Sequence, residues 1–311
     1  RDDVESRGLG DVYKRQEAMK LTDTHSHLYD EAFDRDREEA LARAAAEGVG
    51  QLLLPAIDSE SHDRLFDLCR QHPQRCVPMI GLHPTSVNDN PRWQEELELV
   101  EQLLAAPPEG IPSFCAIGEI GLDFYWSRDF REQQTKAFRR QIELALQYDL
   151  PIAVHTRNAW PETVALMREY AGRGLRGVFH AYSDTLETYR ELRSLGDFRF
   201  GIGGVVTFKK SLLAAIVPEM ELDDLVLETD CPYLTPAPHR GERNESAYVR
   251  FVCNEVARLK GLTSDEVADA TTASAERLFR LNGASSGQDG TKPRPAPAQG
   301  SETDNQPHIQ P

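Results

Sequence analysis

The chain is predicted to fold as a (β/α)8 TIM barrel, a single α/β domain with one extra C-terminal helix. Three observations predict this class. Short apolar runs alternate with amphipathic stretches, the alternation fills residues 19–283, and polar side chains follow the apolar runs, where parallel α/β folds place their sites. A doubly wound open sheet is the alternative that the same alternation allows.

The predicted strands are short apolar runs, several of them rich in Val or Ile, as expected for parallel strands buried on both faces. They are predicted at residues 20–24, 50–56, 76–82, 114–119, 151–155, 177–180, 198–203 and 225–229. Helices are predicted near residues 36–47, 59–71, 93–105, 131–147, 161–171, 186–195, 210–217 and 246–260. A last helix is predicted over residues 264–281, because Thr263 and Glu266 fit a capping box at its start.

The two ends of the chain differ in composition from the predicted barrel. Residues 1–18 are polar and charged, and Met19 stands directly before the first apolar run. We therefore expect residues 1–18 to be a non-native or disordered extension. Residues 284–311 are rich in Gly, Pro, Ser and Gln, so we expect a disordered tail there.

The charge balance argues against a protein that wraps duplex nucleic acid. The formal net charge is −16, whereas a nonspecific duplex binder is normally basic. A local cationic site could still hold one phosphate. The sequence has no apolar run of about 18 residues, which predicts no membrane span.

The cysteine content and the lack of a recognisable secretory signal predict a cytoplasmic location. The five cysteines are odd in number and form no CxxC pair, which favours reduced thiols. The sequence also shows no secretory signal. GIGG at residues 201–204 has the wrong spacing for a dinucleotide fingerprint, so no nucleotide cofactor is expected. Nothing in the sequence indicates an oligomeric state.

Six candidate metal ligands lie at or just after the ends of predicted strands. They are His25, His27, Glu119, His155, His180 and Asp230. Residues i and i+2 of a strand point to the same side, so the two histidines of DTHSHL can hold one ion. Because only a closed ring brings the first strand next to the last, convergence of the six favours the barrel over the open sheet.

These ligands are sufficient for two divalent ions. Imidazole and carboxylate ligands suit Zn, Mn, Fe or Co and tolerate Mg. A pair of ions about 3.5–4 Å apart can lower the pKa of a bound water toward about 7 and clamp a phosphoryl or acyl oxygen. Glu119 could bridge the ions, and Asp230 could take the proton of the water. Asp23 could orient an imidazole or be a buried polar residue at a strand end.

Substrate-binding candidates lie in the loops that follow the strands. They are His83, Arg157, Tyr125, Lys209 and Arg243. Arginine matches phosphate oxygens bidentately. Tyr125, between Phe124 and Trp126, could stack on a base or anchor the loop hydrophobically.

With these motifs, the chain resembles the TatD family of metal-dependent deoxyribonucleases, within the amidohydrolase-like barrels. The resemblance rests on DTHSHL, GLHP, IGEIGLDFY, HTRNA, FHAYS, GIGGVVTFKKS, LETDCPYLTP, PHRGERNES and ATTASAERLF. It implies a TIM barrel with a two-metal centre of Mg, Mn or Zn, whose ligands fall on the same six residues. Glu119 would be the bridge, and His83 would lie beside the substrate phosphate. Ser26 and Ser246 depart from a frequent Cys and a usual Pro, and neither change removes a ligand.

The resemblance implies a metal-dependent hydrolase, and first of all a deoxyribonuclease acting 3′→5′ on single-stranded or frayed DNA ends. Because the family varies in substrate, an amidohydrolase or esterase, such as a D-aminoacyl-tRNA deacylase, is the alternative. A metal-binding scaffold without catalysis is a third hypothesis.

Overall fold

The computed structural model describes residues 19–281, and within them eight strands alternate with helices as predicted. The strands are β1 (Leu21–Asp23), β2 (Val49–Leu54), β3 (Cys76–Pro78), β4 (Ile117–Asp123), β5 (Ile152–Arg157), β6 (Arg176–Phe179), β7 (Asp197–Ile202) and β8 (Leu225–Leu227). The expectations for residues 1–18 and 284–311 fall outside the described residues.

All strand pairs are parallel, and each strand pairs with its neighbour in sequence. One sheet has the order β1-β2-β3 and the other β4-β5-β6-β7-β8. The sheets meet where Gly118 N donates to Ile80 O at 2.9 Å, and again where Thr24 N donates to Leu227 O at 3.0 Å. Hydrogen bonds therefore join the residues just after β3 to β4, and the residue just after β1 to β8. This sequential order is that of a TIM barrel and lacks the reversal of a doubly wound sheet.

Nine α-helices occur among the described residues. They are α1 (Arg37–Ala46), α2 (Ser59–Gln71), α3 (Trp93–Ala105), α4 (Arg131–Tyr148), α5 (Trp160–Glu169), α6 (Leu186–Leu195), α7 (Leu212–Ile216), α8 (Val249–Lys260) and α9 (Ser264–Phe279). The predicted capping box is present, since Thr263 Oγ1 accepts from Glu266 N and Glu266 Oε2 accepts from Thr263 N. Helix α7 is shorter than predicted because a 3-10 turn replaces its end. From residue 19 to residue 281, no helix combines the length and apolar character needed to cross a bilayer.

The extra helix α9 closes the amino end of the barrel. Leu278 and Phe279 pack in one buried cluster with apolar residues of the strands, among them Leu53 and Val178. Thr272 Oγ1 also donates to Lys20 O, directly before β1. The amino end is thus filled, and the carboxyl ends of the strands are left to form a cleft.

Strand β4 runs further than predicted, and a glycine explains the difference. The prediction ended this strand at Glu119, whereas β4 continues to Asp123 and pairs with β5 as far as Arg157. Gly121 has φ +144°, and a Cβ there would lie 2.0 Å from His155 O. The missing side chain lets two ligand-bearing strands approach each other closely.

Replacing Gly121 with alanine is therefore expected to destabilise the protein. Backbone strain alone typically costs about 1–3 kcal/mol. We expect a larger loss here, because the new methyl group meets backbone atoms that cannot rotate away. Gly172→Ala is the matched control. Its φ is also positive, at +75°, but nothing lies within 4 Å of the added Cβ. Thermal unfolding of both variants measures the difference, and equal losses of stability would contradict the close-approach explanation.

Candidate metal centre

The carboxyl ends of the strands enclose a cleft of about 700 Å³. The structure brings all six predicted ligands together at its floor, since each lies within 4 Å of another member of the set. Five of them, all but His25, contribute to the cleft lining. His83 lies with them, although it was predicted as a substrate-binding residue.

The Glu119 carboxylate is the centre of this group. Oε1 lies 2.8 Å from His155 Nδ1 and 3.1 Å from His180 Nε2. Oε2 lies 3.1 Å from His25 Nε2 and 3.7 Å from His27 Nε2. Each oxygen thus faces a separate pair of imidazoles, so one carboxylate can serve two cations.

Asp230 faces the DTHSHL histidines from the loop after β8. Its Oδ1 lies 3.5 Å from His27 Nε2 and 3.8 Å from His25 Nε2. Asp230 adopts a left-handed φ of 56°, fixed where Asp230 N donates to His25 O and Tyr233 N donates to Asp230 O. The side chain is 16% exposed, so its carboxylate opens onto the cleft while staying beside the two imidazoles.

Hydrogen bonds behind the imidazoles set which nitrogen faces the cleft. Tyr29 donates its hydroxyl to Pro55 O at 2.6 Å, so it accepts from His27 Nδ1 at 2.9 Å. His27 Nε2 is then left with a free lone pair toward Asp230, as a metal ligand requires. His180 Nδ1 lies 3.3 Å from Glu228 Oε1, poorly aligned for a hydrogen bond but close enough for charge attraction.

His83 carries its proton on the opposite ring nitrogen from His27. Thr85 N donates to His83 Nδ1 at 3.1 Å, so Nδ1 is an acceptor and the neutral ring carries its proton on Nε2. Burial lowers the pKa of His83, and the nearby His155 adds to this, although Glu119 opposes it. His83 Nε2 lies 3.4 Å from Glu119 Oε1. This ring can therefore donate a hydrogen bond into the cleft, as a substrate-binding group would.

The electrostatics of the cluster favour bound cations. Burial by itself would raise the pKa of Glu119, but His180, His25 and His83 hold it well below its usual value. Burial alone would lower the pKa of His180, yet the carboxylates of Glu119 and Glu228 raise it well above normal. The pKa of His155 is also raised, because Asp123 and Glu119 outweigh the effect of burial. Without metal, protons on His155 and His180 therefore balance the buried carboxylates. A divalent ion would replace these protons, which is how metal binding ordinarily couples to proton release.

The donor set fits divalent metal ions. Three groups of three side chains have ligand atoms within 4.8 Å of one another: His25, Glu119 and His180; His25, His27 and Asp230; and His83, Glu119 and His155. Mixed nitrogen and oxygen donors suit zinc and related divalent ions. His25 presents Nε2 to Glu119 Oε2 at 3.1 Å, and its Nδ1 is buried without a hydrogen-bond partner among the described residues.

The predicted substrate-binding residues separate into two groups. Arg157 lines the cleft, and its guanidinium carbon lies 3.6 Å from the ring centroid of Tyr125 at the rim. Lys209 is exposed on the loop after β7, outside the cleft lining. Arg243 also lies outside it, because both of its terminal nitrogens are held at 2.7 Å by the Asp36 carboxylate. The guanidinium of Arg243 thus binds a carboxylate of the protein rather than facing the cleft, and its role in substrate binding stays a prediction.

The hydrogen bonds of Asp23 decide between the two roles predicted for it, orienting an imidazole or being a buried polar residue. Its carboxylate accepts from Thr229 N at 3.0 Å and from Thr229 Oγ1 at 2.6 Å, and from no imidazole ring nitrogen in the described part of the chain. Burial raises the pKa of Asp23 to about 7. The residue is thus a buried polar group that ties β1 to the end of β8.

Sequence reasoning missed three residues that contact the ligands: Asp123, Tyr29 and Glu228. Asp123 Oδ2 lies 2.9 Å from His155 Nε2. The sequence could have predicted this contact, because Asp123 lies four residues after Glu119 on β4 and so on the same face. Glu228 lies two residues before Asp230, which is a weaker signal. No spacing in the sequence indicates the role of Tyr29, because that role depends on its contact with Pro55 in a different loop.

Comparison with known proteins agrees with this geometry. The family of TatD-related DNases matches residues 22–280. The chain is 37% identical over 263 residues to YabD of Bacillus subtilis, described as an uncharacterized metal-dependent hydrolase, and covers 100% of that protein with 84% of its own length. It is 30% identical over 267 residues to the 3′-5′ ssDNA/RNA exonuclease TatD of Erwinia tasmaniensis, with 84% of this chain and 100% of that protein covered.

Solved structures show the same relationship. The crystal structure of YjjV, a TatD homologue from Escherichia coli, superposes with a TM-score of 0.76 at 28% identity, over 85% of this chain and 99% of that one. The family match spans nearly all of the described barrel, including all six candidate ligands. The chain therefore belongs to the TatD-related DNase family and is a metal-dependent hydrolase.

Proposed function

We propose that the protein hydrolyses phosphodiester bonds at single-stranded or frayed DNA ends, using two divalent cations held by the six candidate ligands. One observation carries the proposal: the ligand cluster, the His83 donor and the Arg157 guanidinium all face one cleft of about 700 Å³. Two relatives, from Erwinia tasmaniensis and Cronobacter turicensis, bear the name 3′-5′ ssDNA/RNA exonuclease TatD, which supports nucleic acid as the substrate class.

The ligands divide into two sets around Glu119. His25, His27 and Asp230 would hold one cation, and His155 and His180 the other, with Glu119 contributing to both. Bound cations would supply Lewis-acid activation of a water molecule and of the scissile ester. The protein contributes the orientation of the rings, through Tyr29 behind His27 and Asp123 behind His155.

The chain's own residues have distinct roles in this proposal. Asp230 Oδ1, beside the imidazoles and open to the cleft, would accept the proton of the attacking water. His83 Nε2 would donate a hydrogen bond to a phosphate oxygen. Arg157 forms no ion pair with a described carboxylate, so its charge is free for a phosphate.

The rim of the cleft suits unpaired bases. Trp126 and Tyr233 both line the cleft, with 68% and 56% of their surfaces exposed. Tyr125 is 52% exposed beside Trp126. Aromatic faces at an entrance stack on bases that are free of a duplex, a contact worth about 1–3 kcal/mol per base. This supports single-stranded ends over intact duplex.

The test is a nuclease assay on end-labelled DNA. Purified protein is incubated with single-stranded and blunt duplex substrates in Mg²⁺ or Mn²⁺, with and without chelator. We expect shortening of the single strand from its 3′ end and loss of shortening with chelator. Absence of chelator-sensitive shortening would refute the nuclease, and release of amino acid from D-aminoacyl-tRNA in its place would support the deacylase alternative.

Replacing His155 with alanine is expected to lower kcat/KM on single-stranded DNA by at least about 10²-fold while the protein stays folded, because the ring lies at the cleft and not in the packed interior. His62→Ala is the matched control. His62 is a buried histidine on α2, 7% exposed, whose ring contacts Phe66 and lies outside the cleft lining. We expect normal activity and a lower melting temperature for His62→Ala, and loss of folding in His155→Ala would contradict the placement.

A further inference from the structure

The loops after β7 and β8 carry an exposed basic surface around a half-buried phenylalanine, beside the cleft. It consists of Phe208, Lys209, Lys210 and Arg240, here called the β7–β8 patch. The guanidinium carbon of Arg240 lies 3.5 Å from the ring centroid of Phe208, so the arginine is held flat against the aromatic ring. Both lysines and Arg240 are exposed.

The patch is continuous with the wall of the cleft. Val205 and Leu234 line the cleft, and each precedes a patch residue on its own loop. The two loops are packed together, since Ala237 N donates to Thr207 Oγ1 at 2.8 Å. Gly204 also lies so close to the other loop that a Cβ would be 2.0 Å from Leu234 O. A chain leaving the cleft over Leu234 would therefore meet the patch next.

The cations of the patch are not neutralised by the protein. Lys209, Lys210 and Arg240 form no ion pair with any carboxylate between residues 19 and 281, whereas many arginines on the outer helices are paired, as Arg139 is with Glu169. The whole chain has a net charge of −16. Three unpaired cations in one patch therefore attract a polyanion locally, whereas the net negative charge of the rest of the protein repels it.

The patch and the pair formed by Arg157 and Tyr125 lie on two sides of the barrel mouth. Arg157 ends β5 and Tyr125 lies after β4, whereas the patch lies after β7 and β8, further round the ring of strands. The ligand cluster lies between the two sides. A polyanion crossing the cleft would thus meet cations on both sides of the ligand cluster, and the exposed ring of Tyr125 on one of them.

We propose that the β7–β8 patch binds the sugar–phosphate backbone of a single-stranded nucleic acid whose end occupies the cleft. This proposal rests on the proposed function. Cations that follow a backbone, combined with aromatic rings, are the usual means of binding single strands without sequence preference. The patch therefore contributes affinity that grows with strand length.

The experiment uses full-length, metal-loaded protein and a labelled, phosphorothioate-linked single strand of about 12 nucleotides, which resists hydrolysis and spans a typical binding site. Binding is measured by fluorescence anisotropy for wild type and for the triple variant Lys209→Ala/Lys210→Ala/Arg240→Ala. The matched control is Lys136→Ala/Arg190→Ala/Arg277→Ala, which removes the same charge from exposed positions on α4, α6 and α9.

Between about 50 and 200 mM salt, wild type and control are expected to lose about 20-fold more affinity than the patch variant, because each phosphate contact to a single strand contributes about 0.7 to the salt slope. The same salt dependence in wild type and patch variant, or no binding by wild type, would overturn the proposal. Displacement of the strand by poly-glutamate at equal charge would also overturn it, since the surface would then recognise any acidic chain. Strand binding through the patch without cleavage in the nuclease assay would refute the proposed function and leave the patch standing.

Discussion

Glutamine in place of Glu119 is expected to remove bound divalent metal and to lower kcat/KM on single-stranded DNA by at least about 10³-fold. The carboxylate is almost fully buried, at 2% exposure, and its two oxygens face separate imidazole pairs. Glutamine has the same shape but no charge, and its amide nitrogen would point at imidazole nitrogens on one side. Both candidate cation positions lose a ligand with this one substitution.

The matched control for this variant is Glu245→Gln. Glu245 is also buried, at 5% exposure, and Arg43 donates to it from Nε at 2.8 Å and from Nη2 at 2.6 Å. Because this pair lies outside the cleft lining, the control is expected to lose stability and to keep its metal. Elemental analysis and initial rates measure both variants. Full metal content and full activity in Glu119→Gln would contradict the central position of this carboxylate.

Replacing Asp230 with asparagine is expected to lower kcat by about 10²–10⁴-fold, the usual contribution of a positioned proton acceptor, with less change in KM. Burial would raise the pKa of this carboxylate, but His27, His180 and His25 lower it below its usual value, so the group is ionised and able to accept a proton. Asparagine tolerates the left-handed φ of 56° at this position, so the substitution removes charge without straining the backbone.

Asp89→Asn is the control for the backbone effect. Asp89 also has a left-handed φ, of 51°, but is exposed and lies outside the cleft lining. We expect its kcat to equal that of wild type. Steady-state kinetics on the single-stranded substrate separate kcat from KM for both variants. An unchanged kcat in Asp230→Asn would contradict the role of this carboxylate as the proton acceptor.

The convergence of the candidate ligands could be predicted because it follows from topology. Side chains at the ends of parallel strands in a closed ring must meet at one face. An HxH pair just after the first strand and an acid after the last are therefore neighbours despite the length of chain between them. The distance of 3.5 Å between His27 Nε2 and Asp230 Oδ1 is a direct result of β1 lying beside β8.

The orientation of each ring could not be predicted in this way. Whether His27 presents Nδ1 or Nε2 depends on Tyr29 and Pro55, whose contact is a matter of loop packing. The contact that Arg243 makes could not be predicted for a similar reason. Arginine binds carboxylate and phosphate with the same geometry, and Asp36, from a distant part of the chain, occupies the guanidinium. Composition and spacing contain no information about which anion is nearer.

The most direct test of the account is a crystal structure of the metal-loaded protein with anomalous diffraction recorded at the absorption edge of the bound metal. The account predicts two anomalous peaks in the cleft on either side of the Glu119 carboxylate, one beside His25, His27 and Asp230 and the other beside His155 and His180. Anomalous peaks confined to sites outside the cleft, with the side chain of Glu119 bonded only to protein or water, would contradict it.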